Sequence, residues 1–244
     1  MKHEIYIVGM GPGREEDMTQ EALTVLDSCD VIVGYTVYLN LLGERFLGKT
    51  FLSTPMRQEV ERCRMCYEEA KKGKRVALIC SGDAGIYGMA GPILELGEKH
   101  PEVEIEVIPG ITAALSGGAV LGAPLMHDFA VISLSDLLTP WETIENRLDA
   151  AAKTDFSICL YNPSSRKRAD YLEKACEIIL KSRSEETVCG LVKNIGREGE
   201  LYEIMTLKKL KTTQADMFTT VYIGNSNTKE LNGKMVTPRG YKDV

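Results

Sequence analysis

Apolar runs recur along the first half of the chain at 4–8, 30–34, 76–80 and 103–107, each closed by glycine, proline or charged residues. Between them, 19–28, 56–72 and 85–99 repeat apolar residues at helical spacing, so strands and helices are predicted to alternate. The alternation resumes after Gly122-Ala123-Pro124, with strands predicted near 130–134, 156–161, 187–192 and 219–224 and helices near 141–152 and 165–182. Such a pattern predicts an α/β fold with a mainly parallel sheet in the first half. Two α/β domains are expected, 1–124 and 125–244. No Ser/Gly-rich or charged linker parts them, so they are expected to pack around a shared cleft. Neither internal repeats nor low-complexity tracts are present.

Composition supports a globular reading. The chain has 244 residues, 44% hydrophobic and 26% charged, enough to bury a sizeable core. No basic leader precedes Glu4 and no apolar run approaches the length of a bilayer, so a cytoplasmic protein without a membrane partner is expected. The net charge of −6 argues against nucleic acid as a general partner. Seven cysteines lack the spacing of a disulfide framework and are expected as reduced thiols.

The candidate chemistry lies in glycine-rich turns that follow strands. Val8-Gly9-Met10-Gly11-Pro12-Gly13 begins like a dinucleotide loop, but Arg14 stands at the third glycine position. Pro12 removes an amide that a pyrophosphate needs, and the second strand ends in Gly34-Tyr35 instead of an acid. Ser81-Gly82-Asp83-Ala84-Gly85-Ile86-Tyr87-Gly88 follows the strand predicted at 76–80, and Pro109-Gly110-Ile111-Thr112-Ala113-Ala114 follows the one at 103–107. Turns at the carboxyl ends of strands are where α/β folds bind ligands. Their small residues let main chain approach a flat ligand, with Asp83 and Thr112 available to orient it.

Two motifs match without the context they need. Gly43-Glu44-Arg45-Phe46-Leu47-Gly48-Lys49-Thr50 fits the phosphate-loop pattern, yet an extended Phe51-Leu52-Ser53-Thr54-Pro55 follows where a helix is required. An ordinary turn before a short strand is expected there. Cys63 and Cys66 share a helix face without a second pair at zinc spacing, and are expected as packed helix cysteines rather than a metal site.

The loop Gly9-Met10-Gly11-Pro12-Gly13, the turn Ser81-Gly82-Asp83 and Pro109-Gly110-Ile111-Thr112-Ala113 together resemble the tetrapyrrole methylases. Within that family, the run from Gly122 to Trp141, Leu160-Tyr161-Asn162-Pro163 and the tail Thr237-Pro238-Arg239-Gly240-Tyr241 resemble the members that methylate carbon 17 of a precorrin-3B or cobalt-precorrin-3 macrocycle in cobalamin biosynthesis. Gly34-Tyr35 and Ile86-Tyr87-Gly88-Met89-Ala90 agree with it. Ala84 departs from the proline usual after Gly-Asp, and Met126 from the glycine common before His-Asp.

The resemblance implies S-adenosyl-L-methionine as cofactor, S-adenosyl-L-homocysteine as product, contraction of the macrocycle alongside methylation, and a homodimer. It assigns Pro12, Ser81, Gly82, Asp83, Ile86, Thr112 and Ala113 to the cofactor, with Tyr161, Asn162, Lys193, Asn194 and Gly224 from the second domain. Gly9, Gly11 and Gly13 would face substrate, and its carboxylates would fall to Arg14, Arg57, Arg166, Lys167 and Arg168. A sulfonium methyl is already activated, so alignment supplies much of the rate and no metal centre is expected. Contraction needs proton movement, for which His127, Asp128 and Asp136 are the candidates. The alternatives are methylation at another ring carbon, an NAD-linked oxidoreductase and a noncatalytic corrinoid carrier.

Overall fold

The computed structural model describes residues 3–165 and 168–242. The chain divides into two compact units, Met1–Ala113 and Ala114–Val244.

The first unit runs β1 (His3–Gly9), α1 (Gln20–Ser28), β2 (Val31–Tyr35), α2 (Thr36–Leu39), β3 (Thr50–Thr54), α3 (Glu59–Lys71), β4 (Arg75–Cys80), α4 (Ala90–Gly97) and β5 (Val103–Ile108). Its five strands form a wholly parallel sheet in the order β3-β2-β4-β1-β5. Helices cover both faces. Ile5 and Ile7 of β1 pack with Cys66, Tyr67 and Ile93 of α3 and α4, while Tyr6 and Val8 point the other way, into the cluster that holds Ala22 and Leu26 of α1. Burial on both faces explains why the strands read as unbroken apolar runs.

In the second unit come α5 (Ala113–Leu121), β6 (Gly122–Ala123), β7 (Phe129–Ser133), α6 (Trp141–Lys153), β8 (Ser157–Tyr161), α7 (Tyr171–Leu180), β9 (Val188–Lys193), β10 (Leu201–Thr206), α8 (Leu207–Lys211), β11 (Thr219–Ile223), β12 (Lys229–Leu231) and β13 (Lys234–Val236). Here the sheet is mixed. In the order β10-β9-β11-β8-β7, only β7 and β8 are parallel. A smaller sheet, β12-β13-β6, joins the start of the unit to its tail.

Several elements differ from the pattern read along the chain. α4 starts at Ala90 rather than near 85, because Gly85 to Gly88 form an irregular loop in which Tyr87 takes φ 54°. α5 was hidden by its composition, AALSGGAVL, in which a central Gly-Gly pair lowers helix propensity and small residues blur the helical period. Gly117 is demanded by packing: a Cβ there would sit 2.4 Å from Tyr222 Oη. β10 escaped detection because its first residues are exposed at a sheet edge. Among the described residues, no helix is long and apolar enough to cross a membrane.

Candidate active site

Parallel strands deliver all their following turns to one edge of a sheet, and the three glycine turns follow three adjacent strands, β4, β1 and β5. They interlock main chain to main chain. Met10 N donates to Cys80 O at 2.9 Å, Gly11 N to Gly82 O at 3.1 Å and Gly82 N to Gly11 O at 2.7 Å. Gly11 and Gly82 adopt φ 68° and 70°, the left-handed region that glycine enters freely. A Cβ on Gly9 would lie 2.6 Å from Gly110 N, and one on Gly110 only 2.2 Å from Gly82 O. These glycines are therefore required by one another as well as by any ligand.

Asp83 completes the knot. One carboxylate oxygen accepts from Gly85 N at 2.8 Å and the other from Gly110 N at 3.0 Å. Both oxygens thus serve to fix the turn after β4 against the turn after β5. The amides of Met10, Gly11, Gly82 and Gly110 are thus donated within the knot and Pro12 lacks one, which leaves fewer donors here for a pyrophosphate. What remains is a rim of small residues around half-buried Ser81, Thr112 and Ala113, with Ile86 and Ile111 exposed. Tyr87 belongs beside them. A bulky side chain held at positive φ is rare, and no periodicity in the sequence announces it.

Of the basic residues expected to meet substrate in the first unit, Arg14 is ion-paired and Arg57 is exposed. Arg14 Nε lies 2.8 Å from Asp17 Oδ2. Arg57 takes φ 69° and gives its amide to Glu59. Lys49 of the phosphate-loop look-alike donates to the carbonyls of Asp27 and Cys29 at the end of α1, capping a helix instead of meeting phosphate. All seven cysteines are free and buried. Burial pushes the thiols of Cys29 and Cys63 up to about 11 and that of Cys80 to about 12, so they are neutral and unreactive at physiological pH.

In the second unit, Tyr161 Oη accepts from Ala114 N at 2.6 Å at the start of α5. Asn162 takes φ 53° and donates to Ser133 Oγ at 2.9 Å. Lys193 pairs with Asp216 at 2.7 Å. Asn194, φ 52°, gives its amide to Phe218 O at 3.1 Å. Gly224 has no space for a side chain, since a Cβ would stand 2.4 Å from that of Thr228. Tyr161, Asn162, Lys193 and Asn194 stand at the sheet edge where β8 and β9 end, whereas β11 runs antiparallel to both and leaves Gly224 at the opposite edge, its amide bonded to Val188 O at 2.9 Å.

His127 accepts the Asp128 amide at Nδ1, 3.0 Å away, which in the neutral ring leaves the proton on Nε2. The 3.5 Å approach of the same nitrogen to Asp128 Oδ2 is no hydrogen bond in that tautomer. Asp136 belongs to a different cluster. It accepts from Tyr171 Oη at 2.6 Å and from Arg168 Nη1 at 3.3 Å, and Arg168 also donates to Ser135 Oγ at 2.6 Å. The Tyr171 hydroxyl and, against the cost of burial, the Arg168 charge hold the Asp136 carboxyl below its usual range. Arg168 is accordingly a structural cation, not the free carboxylate receptor read from the basic run. Arg166 and Lys167 lie outside the described residues.

Residues 4–211 match the model of the Tetrapyrrole (Corrin/Porphyrin) Methylases. The chain belongs to the tetrapyrrole methylases. Among members of that family, it is 47% identical to a probable cobalt-factor III C(17)-methyltransferase of Salmonella typhimurium over 96% of this chain and 98% of that one. It is 36% identical to a precorrin-3B C(17)-methyltransferase of Sinorhizobium sp over 99% and 98% of the two chains. The crystal structure of the methyltransferase CobJ superposes with a TM-score of 0.89 at 35% identity, covering 96% of this chain and 99% of that one. The three matches span nearly the whole length of the chain, second unit included.

Proposed function

We propose that this tetrapyrrole methylase transfers a methyl group from S-adenosyl-L-methionine to carbon 17 of a precorrin-3B-type macrocycle, with contraction of the ring, in cobalamin biosynthesis. The observation that carries the cofactor reading is the knot at the β4-β1-β5 rim, in which the amides of Met10, Gly11, Gly82 and Gly110 are donated to other turn atoms. It disfavours a pyrophosphate and suits a ligand met through van der Waals contact and carbonyl oxygens. Bound there, the sulfonium supplies an activated methyl group. The chain contributes shape: Gly9, Gly82 and Gly110 hold the turns at contact distance, and Asp83 keeps them from drifting apart. Precise placement of reacting atoms is worth several kcal/mol of barrier, roughly 7–11 for ideal alignment.

His127, with Nε2 protonated and Nδ1 held by the Asp128 amide, is oriented to exchange a proton during contraction. Asp136, a carboxylate tied to Tyr171 and Arg168, keeps its own loop in place. The relative named for a cobalt-bearing substrate is 47% identical and the one named for metal-free precorrin-3B 36%, which favours cobalt-factor III. The test is incubation with each macrocycle and methyl-labelled cofactor, followed by mass and NMR analysis. Label at carbon 17 of a contracted product is expected, faster with the cobalt form; label at another carbon overturns the assignment.

A further inference from the structure

The second unit carries a recess of about 190 Å³ lined by His127, Asn227, Lys229, Pro238, Arg239 and Gly240. Among the described residues, Lys229 and Arg239 form no ion pair, and both are exposed. The neighbouring acids Asp128 and Glu230 are not part of the lining. Two unpaired cations and an imidazole N–H on one concavity make a site for an anion.

The recess is built rather than accidental. Its walls come from the chain after β6, the start of β12 and the tail after β13. A buried relay fixes all three: Thr237 Oγ1 donates to Pro124 O at 2.6 Å, Thr228 Oγ1 lies 2.8 Å from Thr237 Oγ1, and Asn225 N donates to Thr228 Oγ1 at 2.9 Å. Thr237 N adds a bond to Ala123 O at 3.0 Å. Thr237 is fully buried, and Thr228 and Asn225 nearly so. A satisfied buried network of this kind rigidifies what it joins. Every cation of the recess sits within a few residues of one of its members.

We infer that this recess is a carboxylate-binding subsite that holds an acidic side chain of the tetrapyrrole. The arginine fork and the lysine would take the two oxygens, with the His127 Nε2–H as a third donor. The inference rests on the tetrapyrrole substrate proposed above, but its test does not require turnover. Binding of uroporphyrin III, a carboxylated tetrapyrrole, and of its methyl ester is measured by fluorescence on the full chain. Lys229→Gln and Arg239→Gln are each expected to weaken the acid about tenfold, and the double variant more. Ester binding and S-adenosyl-L-homocysteine binding stay at wild-type strength, and Lys208→Gln, a cation elsewhere on the unit, changes neither.

Unchanged acid affinity in the double variant overturns the inference, as does an equal loss for acid and ester or no measurable binding of the acid. A free anion is the other source of the same chemistry. Inorganic phosphate shifting the His127 ring signals while tetrapyrrole affinity ignores both substitutions also overturns it. Failure of methyl transfer with charge-dependent binding intact would instead sink the catalytic reading and leave the subsite standing.

Discussion

The Asp83 carboxylate accepts the amide of Gly110 at 3.0 Å, joining the turn after β4 to the turn after β5 across the intervening β1. Its other oxygen holds Gly85 N. Asn at this position keeps one acceptor and points an NH₂ at the second amide, so Asp83→Asn is expected to lose about 1–2 kcal/mol of stability. Cofactor affinity should fall with it as the rim loosens. Calorimetric titration with S-adenosyl-L-homocysteine beside thermal unfolding checks this; affinity at wild-type strength would show that the cross-turn bond does not shape the site.

Gly9 and Gly82 test two different reasons for glycine. A Cβ on Gly9 meets backbone at 2.6 and 2.8 Å, whereas one on Gly82 finds its nearest neighbour at 3.5 Å but must adopt φ 70°. Gly9→Ala is therefore expected to cost about 3 kcal/mol or more, as overpacking against main chain does, and Gly82→Ala about 1–2 kcal/mol of backbone strain. Chemical denaturation of the two variants should rank them in that order. The reverse order would mean that the turns can part easily.

Lys49→Ala separates a motif from its context. The ammonium caps the carbonyl end of α1 through Asp27 and Cys29, a contribution of about 0.3–1 kcal/mol. A slightly lower melting temperature with undiminished methyl transfer is expected, and ATP should not protect the protein from unfolding. Loss of activity in a folded Lys49→Ala protein would restore the phosphate loop to consideration.

The glycine turns were legible because Gly and Pro mark backbone geometry directly, and parallel strands fix which end of the sheet receives them. The partners of polar side chains were not. Asp83 reads from its neighbours as a ligand group, yet each of its oxygens also accepts an amide, one of them 27 residues away in sequence. Asp136 reads as a companion of nearby His127, yet its partners, Arg168 and Tyr171, lie 32 and 35 residues distant. Spacing carries no information about such pairs. β10 and α5 stayed hidden for a related reason: exposure at an edge and small residues chosen for packing both erase the hydrophobic period.

Asp136 provides a pH-dependent readout through the chain's single tryptophan. Trp141 packs on Tyr171 with ring centroids 4.4 Å apart, and Tyr171 donates to Asp136. The Asp136 carboxyl is held below its ordinary value of 3.8 by the Tyr171 bond first and the Arg168 charge further on. A depressed carboxylate contributes its stabilisation fully above the ordinary value and loses it as pH falls through the folded value. Trp141 fluorescence is thus expected to change below about pH 4, and Asp136→Asn to abolish that transition while leaving the signal at pH 7 shifted toward the acid form. A transition that survives in Asp136→Asn assigns it to other carboxylates.

His127 allows methylation and ring contraction to be told apart. The methyl donor arrives activated, so transfer needs alignment, while contraction needs a proton moved; His127 offers Nε2–H with Nδ1 fixed by the Asp128 amide. At saturating macrocycle, which cancels any weakened binding at the recess that His127 lines, His127→Ala is expected to methylate near the wild-type rate. Contraction should slow by about 10²–10⁴, the usual worth of one acid or base, so that a methylated, uncontracted ring accumulates. Asp136→Asn should not uncouple the steps, because its carboxylate serves Tyr171 and Arg168. Arg239→Gln should raise the KM for the macrocycle without accumulating the intermediate. Single-turnover analysis decides: contracted product formed at the wild-type rate by His127→Ala would leave the histidine a binding residue of the carboxylate recess and nothing more.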